Sequence, residues 1–504
     1  MDVTPPPSYS HVQIKRVVTG IMLCILLAAL DQTVVIPAVP AIAGELNAFG
    51  HLSWIVTAYL LTSTAATPIY GKLSDIYGRR AMLLPAITLF ILASMVCGAA
   101  QTLPQLIGAR ALQGLGGGGL MAMAQAAIAD VVSPRERGRY QGYMASMWGV
   151  ASVGGPIIGG WTTDHLSWRY VFWINLPLGL AAMFLCNRAL RTIPVIKRKA
   201  VIDWTGAALL VGGVTACLLV LSWGGVEFPW ASFPVLATAG LAAMLIGSLI
   251  WYERRARDPI LPPRLFGNPT FLRGVLIAFF TSLGLFGVTF LLPLYFQLVI
   301  GVDASGSGLL VLPFMVSTVV GAFTAGQVAR RLGRTKGITL LALVLSVLGL
   351  VVMAVHPPVW VMLTASFMTG AGIGATMPAV LMQVQNNAAS GDVGAATGSL
   401  LFLRSMGGAF GSTMVGSLLA ARFNAGLHAA GVTASIDLGA LQGGVKALSS
   451  LGSSGLAGAR MALVSGFELS FAVCAGLLLV AVGIAAGMQD RELRSTTAPT
   501  EIGH

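Results

Sequence analysis

Gly71-Lys72-Leu73-Ser74-Asp75-Ile76-Tyr77-Gly78-Arg79-Arg80 is a short polar segment between two long apolar runs. Its glycines allow a tight turn, and Asp75 with the two arginines can form a charge cluster at the ends of the flanking runs. The spacing returns 255 residues later as Gly326-x-x-x-Arg330-x-x-Gly333-Arg334, where a base replaces the acid. We therefore expect the chain to contain two related halves.

A second set of repeated residues supports the two halves. Pro37 and Pro293 are 256 residues apart. The same offset relates one cluster to another: Gly114, Gly116, Gly118 and Met121 match Gly370, Gly372, Gly374 and Met377. Two related bundles with a polar site between them are the general plan of an alternating-access transporter.

The composition places the chain in a membrane. Of its 504 residues, 56% are hydrophobic and 10% are charged, compared with roughly 25% charged in a soluble domain. Apolar runs long enough to cross a hydrocarbon core of roughly 30 Å recur along its length. We predict an all-α integral membrane fold with fourteen transmembrane helices, at 17–40, 53–71, 81–100, 104–130, 139–161, 168–188, 204–224, 232–252, 271–299, 307–329, 337–355, 358–384, 394–420 and 463–487.

The positive charges predict the orientation. When alternate loops are numbered as inside, beginning with the N-terminus, 24 of the 30 Lys and Arg residues fall on the inside. Such an excess is typical of cytoplasmic loops, so both termini are expected in the cytoplasm. The net charge of +12 is split into short clusters between apolar runs, so no nucleic-acid partner is expected.

The repeat divides the predicted helices into a six, two, six arrangement. The inserted pair then lies between the halves in sequence without belonging to either. The expected units are a cytoplasmic N-terminal tail at 1–16, an N-terminal six-helix bundle at 17–190, two inserted transmembrane helices with their linkers at 191–265, a C-terminal six-helix bundle at 266–488 and a cytoplasmic C-terminal tail at 489–504.

No cofactor or metal site is predicted. The five cysteines are isolated within apolar runs and the six histidines are scattered, so neither a disulfide framework nor a zinc site is indicated. Gly114, Gly116 and Gly119 spell GxGxxG, but no strand precedes them, and packing between helices explains them better than nucleotide binding. An enzyme is not expected, because no nucleophile, metal set or pair of acids gathers at one face.

Two charged residues, Asp31 and Arg110, fall inside predicted spans. A charge at a helix centre costs roughly 2.5–3.5 kcal/mol to insert, and a rise of about 1.5 Å per residue puts both at a similar depth. We expect them to face one cavity, where Arg110 holds the ionised carboxylate and a proton competes with a cationic substrate for it. A static ion pair that orients the helices is the alternative.

Further residues are predicted to surround that cavity. Arg404 is a second buried charge without an obvious partner, and Glu468 lies near the outer end of its span, so both are candidates for coupling. Thr33, Gln113 and Trp148 are candidate substrate contacts, and Trp148 can stack on an aromatic cation. Packing is the alternative role for Trp148, and an interfacial position is the alternative for Glu468.

Several segments resemble the major facilitator superfamily, and in particular its fourteen-helix drug:proton antiporter family. The 71–80 segment is similar to the superfamily signature after helix 2. The likeness covers nearly the whole chain, including the two extra central helices, and is weakest in the second half. Four further segments are similar to family motifs: Leu30-Asp31-Gln32-Thr33-Val34-Val35 in helix 1, although Ile36 stands where the family usually has Asn; Arg110-Ala111-Leu112-Gln113-Gly114 in helix 4; Gly149 through Gly154-Gly155-Pro156-Ile157-Ile158-Gly159-Gly160 in helix 5; and Trp168-Arg169-Tyr170-Val171-Phe172-Trp173-Ile174-Asn175-Leu176-Pro177 at the entry to helix 6.

The resemblance implies a cytoplasmic gate and a bent, closely packed fifth helix. Within the gate, Asp130 is close enough in this topology to pair with Arg79 or Arg80. The alternative contact is between the halves, where Asp75 caps span 13 near Gly394. In helix 5, the proline implies a bend that closes the cavity against leak, and the glycines allow close helix approach; ordinary tight packing is the alternative. The gate residues are Gly71, Asp75, Gly78, Arg79, Arg80 and Asp130, and the helix-5 residues are Gly149, Gly154, Gly155, Pro156, Gly159 and Gly160.

These expectations favour a proton-coupled secondary transporter that exports small amphipathic drugs, cationic or aromatic, across a bacterial inner membrane. A dedicated exporter of one lipid, siderophore or antibiotic is the second candidate. A membrane enzyme or receptor is disfavoured, because no reactive group of residues and no sizeable sensory domain is evident. The expected partners are the lipid bilayer, protons and the substrate, and a periplasmic adaptor protein is left open.

Overall fold

The computed structural model describes residues 10–46, 53–191, 203–224, 228–256, 258–302, 304–389, 391–429 and 453–493. These residues form long α-helices, and the only strand-like feature within them is a single bridge between Gly224 and Phe228. A helix satisfies its own backbone hydrogen bonds, which lipid cannot do for it. The all-α prediction is confirmed, while the predicted tails at 1–16 and 489–504 lie only partly within the described residues.

The helices follow one another in the predicted order, and each predicted span overlaps a long helix or, for the sixth, a pair of consecutive helices. The N-terminal half contains α1 (His11–Leu46), α2 (Ser53–Tyr77), α3 (Arg79–Ala99), α4 (Leu103–Val131), α5 (Pro134–His165), α6 (Tyr170–Trp173) and α7 (Asn175–Leu190). The helices predicted to be inserted are α8 (Trp204–Trp223) and α9 (Phe233–Glu253). The C-terminal half contains α10 (Pro263–Phe266), α11 (Pro269–Tyr295) with the π-helical turn Phe296–Ile300, α12 (Ala304–Leu332), α13 (Lys336–Met353), α14 (Val359–Asn387), α15 (Val393–Ala429) and α16 (Ser453–Ala486).

Ten helical segments of the described chain are long and apolar enough to cross a bilayer, judged by length and composition. The long helices α2, α4, α5 and α15 are not among them, so the number fourteen stays a prediction. Three of these four lie where the halves meet, since α2 packs on α15 and α5 packs on α12. A helix that faces protein rather than lipid can carry more small and polar residues, which explains their lower hydropathy.

The repeated glycines occupy matching places in the two halves. Gly118 of α4 lies against the backbone of Ser63 in α2, and Gly374 of α14 lies in the same way against Thr318 in α12. A Cβ atom at either glycine would overlap the facing carbonyl oxygen. The repeat seen in the sequence is therefore a repeat of helix packing.

Both copies of the Gly71-type segment also pack against the opposite half. Gly71 at the end of α2 faces Gly394 at the start of α15, and Gly326 near the end of α12 faces Gly138 in α5. The two related helix pairs thus close the same end of the molecule by backbone contact.

The inserted helices lie beside one of these pairs. α8 packs on α2 and α15, and α9 packs on α8. Leu61 of α2, Leu210 of α8 and Phe402 of α15 belong to one apolar cluster. The insertion therefore contacts the junction between the halves from the side.

Gly374→Val tests the glycine packing. The added side chain would overlap the backbone of α12, and overpacking of this kind typically costs about 1–3 kcal/mol. We expect a clear drop in the apparent melting temperature of the detergent-purified protein. Gly476→Val is the control, because Gly476 is exposed and a Cβ atom there meets open space. An equal drop in both variants would contradict the packing argument.

Candidate functional site

Asp31 of α1 is fully buried at the centre of a polar network. Its Oδ2 atom accepts a hydrogen bond from Arg110 Nη1 at 2.7 Å. Its Oδ1 atom accepts hydrogen bonds from Gln113 Nε2 and Asn175 Nδ2, both at 2.7 Å. Donors from α4 and α7 therefore hold both oxygens of a carboxylate on α1.

The Arg110 guanidinium is equally enclosed. Its Nη1 atom also donates to Gln113 Oε1 at 2.6 Å, and its Nε atom donates to the Ile55 carbonyl at 3.1 Å. The centroid of the Tyr59 ring lies 4.4 Å from Arg110 Cζ, which adds a cation–π contact. A buried ion pair is tolerated when hydrogen bonds satisfy its remaining polar atoms, and these contacts supply them.

The sequence did not predict two members of the network, Ser94 and Asn175, as site residues. Ser94 Oγ accepts a hydrogen bond from Gln113 Nε2 at 2.6 Å and lies 3.3 Å from Asn175 Nδ2. Both side chains are buried. Asn175 lies in the segment from Trp168 to Pro177 quoted above, and its amide within an apolar stretch is the signal that could have identified it.

The structure does not place Asp31 and Arg110 on a cavity, contrary to the expectation. Their exposed fractions are 0% and 1%, and their hydrogen-bond partners come from the N-terminal half alone. The physical reason is that side chains from α3, α4 and α7 fill the space around the carboxylate. A cavity is found instead in the C-terminal half, between α11, α14 and α15.

The three predicted substrate contacts do not line that cavity either. Gln113 belongs to the buried network. Thr33 donates to the Ala151 carbonyl at 2.8 Å and packs against Gly155, so it joins α1 to α5. Trp148 is half-buried and packs against apolar clusters of the N-terminal half. In this conformation all three contact protein.

Arg404 and Glu468 lie apart from the Asp31 network. Arg404 of α15 lines the cavity in the C-terminal half. Glu468 of α16 is half-buried. The four residues predicted to couple protons and substrate thus occupy three separate places.

The predicted gate residues form a charge cluster that joins the halves. Arg79 Nε donates to Asp130 Oδ2 at 2.7 Å, and Arg79 Nη2 lies 2.7 Å from Asp75 Oδ1. Asp75 accepts hydrogen bonds from the backbone N–H groups of Gly394 at 3.0 Å and Ala395 at 2.8 Å. The two contacts considered as alternatives are therefore present together, and Asp75 caps the positive end of α15.

The other gate candidates shape this cluster. A Cβ atom at Gly71 would lie 2.5 Å from the Gly394 carbonyl oxygen, and Gly78 has a φ of 89°, which favours glycine, between α2 and α3. Arg80 does not join the carboxylates, because its Nε and Nη2 atoms donate to Asn187 Oδ1 at 3.0 and 2.7 Å. Asp75 lies beyond the predicted span 53–71; burial raises the pKa of its carboxyl and the Arg79 charge opposes that rise.

Of the four glycines at positions 154, 155, 159 and 160 in α5, two pack as expected. Gly155 and Gly159 lie against α1, where a Cβ atom would overlap its side chains or backbone. Gly154 and Gly160 meet no neighbouring helix within 4 Å, so the expectation that they allow close approach is wrong. Residues four apart share a helix face, and Gly154 and Gly160 fall off the face that contacts α1.

Gly149 and Pro156 occupy different surroundings. A Cβ atom at Gly149 would lie 3.0 Å from Val319 Cγ2 of α12, so this glycine contributes to the contact between the halves. Pro156 is exposed within α5, which is helical from Pro134 to His165. The bend that closes a cavity stays a prediction.

Comparison with known proteins finds relatives over most of the chain. The family model described as Major Facilitator Superfamily matches residues 21–412. The chain is 38% identical over 418 residues to the multidrug transporter protein MdtP of Bacillus subtilis (strain 168), covering 81% of this chain and 76% of that protein. It is 33% identical over 431 residues to the efflux pump FUS6 of Gibberella moniliformis (strain M3125 / FGSC 7600), covering 81% and 75%.

A solved structure gives the same fold at low identity. The crystal structure of the human organic anion transporter MFSD10 (TETRAN) matches with a TM-score of 0.63 and 17% sequence identity. The match covers 96% of this chain and 100% of that chain. Similarity at this level of identity supports the fold alone.

A pair of variants tests the buried ion pair. Arg110→Leu leaves Asp31 without its counter-charge, and breaking a buried pair in this way costs about 3–5 kcal/mol. We expect a marked drop in the apparent melting temperature of the purified protein. The double variant Asp31→Asn/Arg110→Leu removes both charges and should recover part of that loss. Arg422→Leu, at an exposed arginine, is the control; equal losses in the single and double variants would argue against the pair.

Proposed function

The chain belongs to the major facilitator superfamily, and we propose that it exports small amphipathic compounds in exchange for protons by alternating access. It is a multi-pass membrane transporter rather than an enzyme. The relatives named as a multidrug transporter and an efflux pump support export. The proposed substrates are cationic or aromatic drugs. The observation that carries the proton coupling is the buried ion pair between Asp31 and Arg110.

Protonation of Asp31 would rearrange a network that joins several helices. As a carboxylate it accepts hydrogen bonds from Arg110, Gln113 and Asn175. A neutral carboxyl has one O–H donor and no charge to pair with the guanidinium, so at least one of these contacts must change. The proton then acts on the packing of α1 against α4 and α7, and it does not need to displace a substrate from the same carboxylate.

Contacts between the halves support an outward-facing state. Asp75 caps α15 from the opposite half, and Arg330 Nε lies 2.9 Å from Glu136 Oε1 across the related pair of helices. For this end to open, α15 must leave Asp75 and α12 must leave α5. Alternating access is proposed to exchange these contacts for an opening at the same end.

The charge distribution supports a cytoplasmic position for the closed end. Basic residues gather there, and such clusters favour the cytoplasmic side of a membrane. The chain after α16 returns to the same end, because the Leu493 N–H donates to the Gly333 carbonyl at 2.8 Å and Arg334 lies 2.8 Å from Glu492. We propose a bacterial inner membrane with both termini in the cytoplasm.

Asp31→Asn tests the proton coupling. The amide cannot titrate, so efflux of a cationic dye from reconstituted vesicles under an imposed pH gradient should fall to the background level. Collapsing the gradient with an ionophore should lower wild-type efflux to that same level. Asp164→Asn, at an exposed acid on α5, is the control and should keep wild-type efflux. Unchanged gradient-driven efflux in a folded Asp31→Asn protein would refute the assignment.

Asp75→Asn tests the gate. The amide keeps one acceptor oxygen but loses the charge that pairs with Arg79 and caps α15. Hydrogen bonds to charged groups are worth about 1.5–3 kcal/mol, so we expect the cytoplasmic end to open about tenfold more often. A Thr397→Cys reporter in a background without the five native cysteines measures this, because Thr397 is fully buried in α15.

The measurement is the rate of labelling by an impermeant thiol reagent in inside-out vesicles. The same reporter combined with Asp164→Asn should label at the wild-type rate, since that acid is exposed and distant in sequence from the gate. Labelling of the Asp75→Asn protein at the unaltered rate would count against a gate role for the cap.

A further inference from the structure

Arg404 lines a cavity that the proposed coupling network does not use. The cavity lies in the C-terminal half and is narrow, and the empty space of about 270 Å³ around it includes open solvent. Its polar lining consists of Thr281 and Ser282 of α11, Thr376 of α14 and Arg404 of α15. Met377 and Leu400 are among its apolar neighbours. The lining places a guanidinium and hydroxyls beside an apolar wall, which is the chemistry of a site for an amphipathic ligand. The space is narrow in this conformation, so side chains must move before a ligand larger than water can enter.

No carboxylate in the described residues neutralises Arg404. From Pro269 to Ala486 the described acids are Asp392 and Glu468. Asp392 pairs with Arg264 at 2.8 Å, and Glu468 lies on α16, which does not line the cavity. Arg110 in the other half has Asp31, whereas Arg404 has neither an ion pair nor a hydrogen bond to the described chain. An uncompensated guanidinium at membrane depth favours the approach of an anion.

Two buried hydroxyls beside Arg404 also lack partners. Thr281 is 2% exposed and Ser282 is 1% exposed, and neither side-chain oxygen has a hydrogen-bond partner among the described residues. A hydroxyl within a helix usually donates to the carbonyl one turn earlier, as Thr289 on the same helix does to Leu285 at 2.7 Å. Buried polar groups are rarely left unsatisfied, so these two donors indicate a missing acceptor.

We propose that Arg404, Thr281 and Ser282 form an anion site that binds the carboxylate of an amphipathic substrate. A guanidinium can donate two parallel hydrogen bonds to a carboxylate, and the remaining lone pairs can accept from the hydroxyls. The apolar side chains then contact the adjoining part of the molecule. The inference rests on the proposed transport function and extends its substrates to amphiphiles that carry a carboxylate, zwitterions included.

Equilibrium binding to the full-length protein tests the site without any proton gradient. The protein is placed in nanodiscs of neutral phosphatidylcholine, and fluorescence anisotropy measures two probes, a rhodamine dye with a free carboxylate and its methyl ester. Wild type should bind the acid about tenfold more tightly than the ester, as expected for one charge-assisted bidentate contact. Arg404→Met should abolish that preference, and Arg404→Lys should keep part of it, since lysine keeps the charge and loses the planar fork.

A second variant and a control make the result specific. Thr281→Val keeps the side-chain shape and should reduce the preference for the acid by a few fold, which covers the case that Arg404→Met does not fold. Arg422→Met removes an exposed arginine from the same helix and should leave the preference unchanged. Equal binding of the two probes by wild type, or a preference that survives Arg404→Met, overturns the proposal.

The test separates this site from the proton coupling and from lipid binding. A preserved acid preference supports the anion site even if gradient-driven efflux is absent. Efflux that proceeds without any acid preference overturns the anion site alone. If replacing phosphatidylcholine with phosphatidylglycerol removes the acid preference, lipid head groups occupy the site, and the substrate assignment is overturned.

Discussion

The buried ion pair between Asp31 and Arg110 constrains how the helices of the N-terminal half pack. Neither lipid nor an apolar core can solvate these charges, so the surrounding helices must do so. The hydrogen bonds of the pair come from α2, α3, α4 and α7, either directly or through Gln113 and Ser94. One carboxylate therefore fixes the relative positions of five helices, and a proton on it affects them all.

The two halves share their packing and differ in their charges. Gly118 and Gly374 bring equivalent helices together by the same backbone contact. Arg110 is neutralised inside the protein, whereas Arg404 lines a cavity with free hydroxyls nearby. Packing needs only small residues at the right spacing, so it can be repeated without repeating the chemistry. The proposed roles follow this difference, with the proton bound in one half and an anionic group in the other.

The sequence was sufficient for features that depend on local pattern. Long apolar runs predicted the helices, and a charge inside a span predicted that Asp31 and Arg110 need partners. It was insufficient where several helices meet. Ser94 looks like an ordinary polar residue, and the sequence shows that Asn175 is a polar residue in an apolar stretch without showing that folding brings both to the carboxylate. Likewise, the spacing of glycines could not tell which of them face α1, because that depends on the rotation of α5.

Two helices connect the proposed sites. α2 presents the Ile55 carbonyl and the Tyr59 ring to Arg110, and at its other end Asp75 caps α15. α15 begins at this cap and carries Arg404 about ten residues, or roughly 15 Å, further along. If α15 moves largely as a stiff unit, release of the cap would shift Arg404 together with the start of α15. A change in the Asp31 network that moves α2 would therefore reach both the gate and the anion site through the same contact.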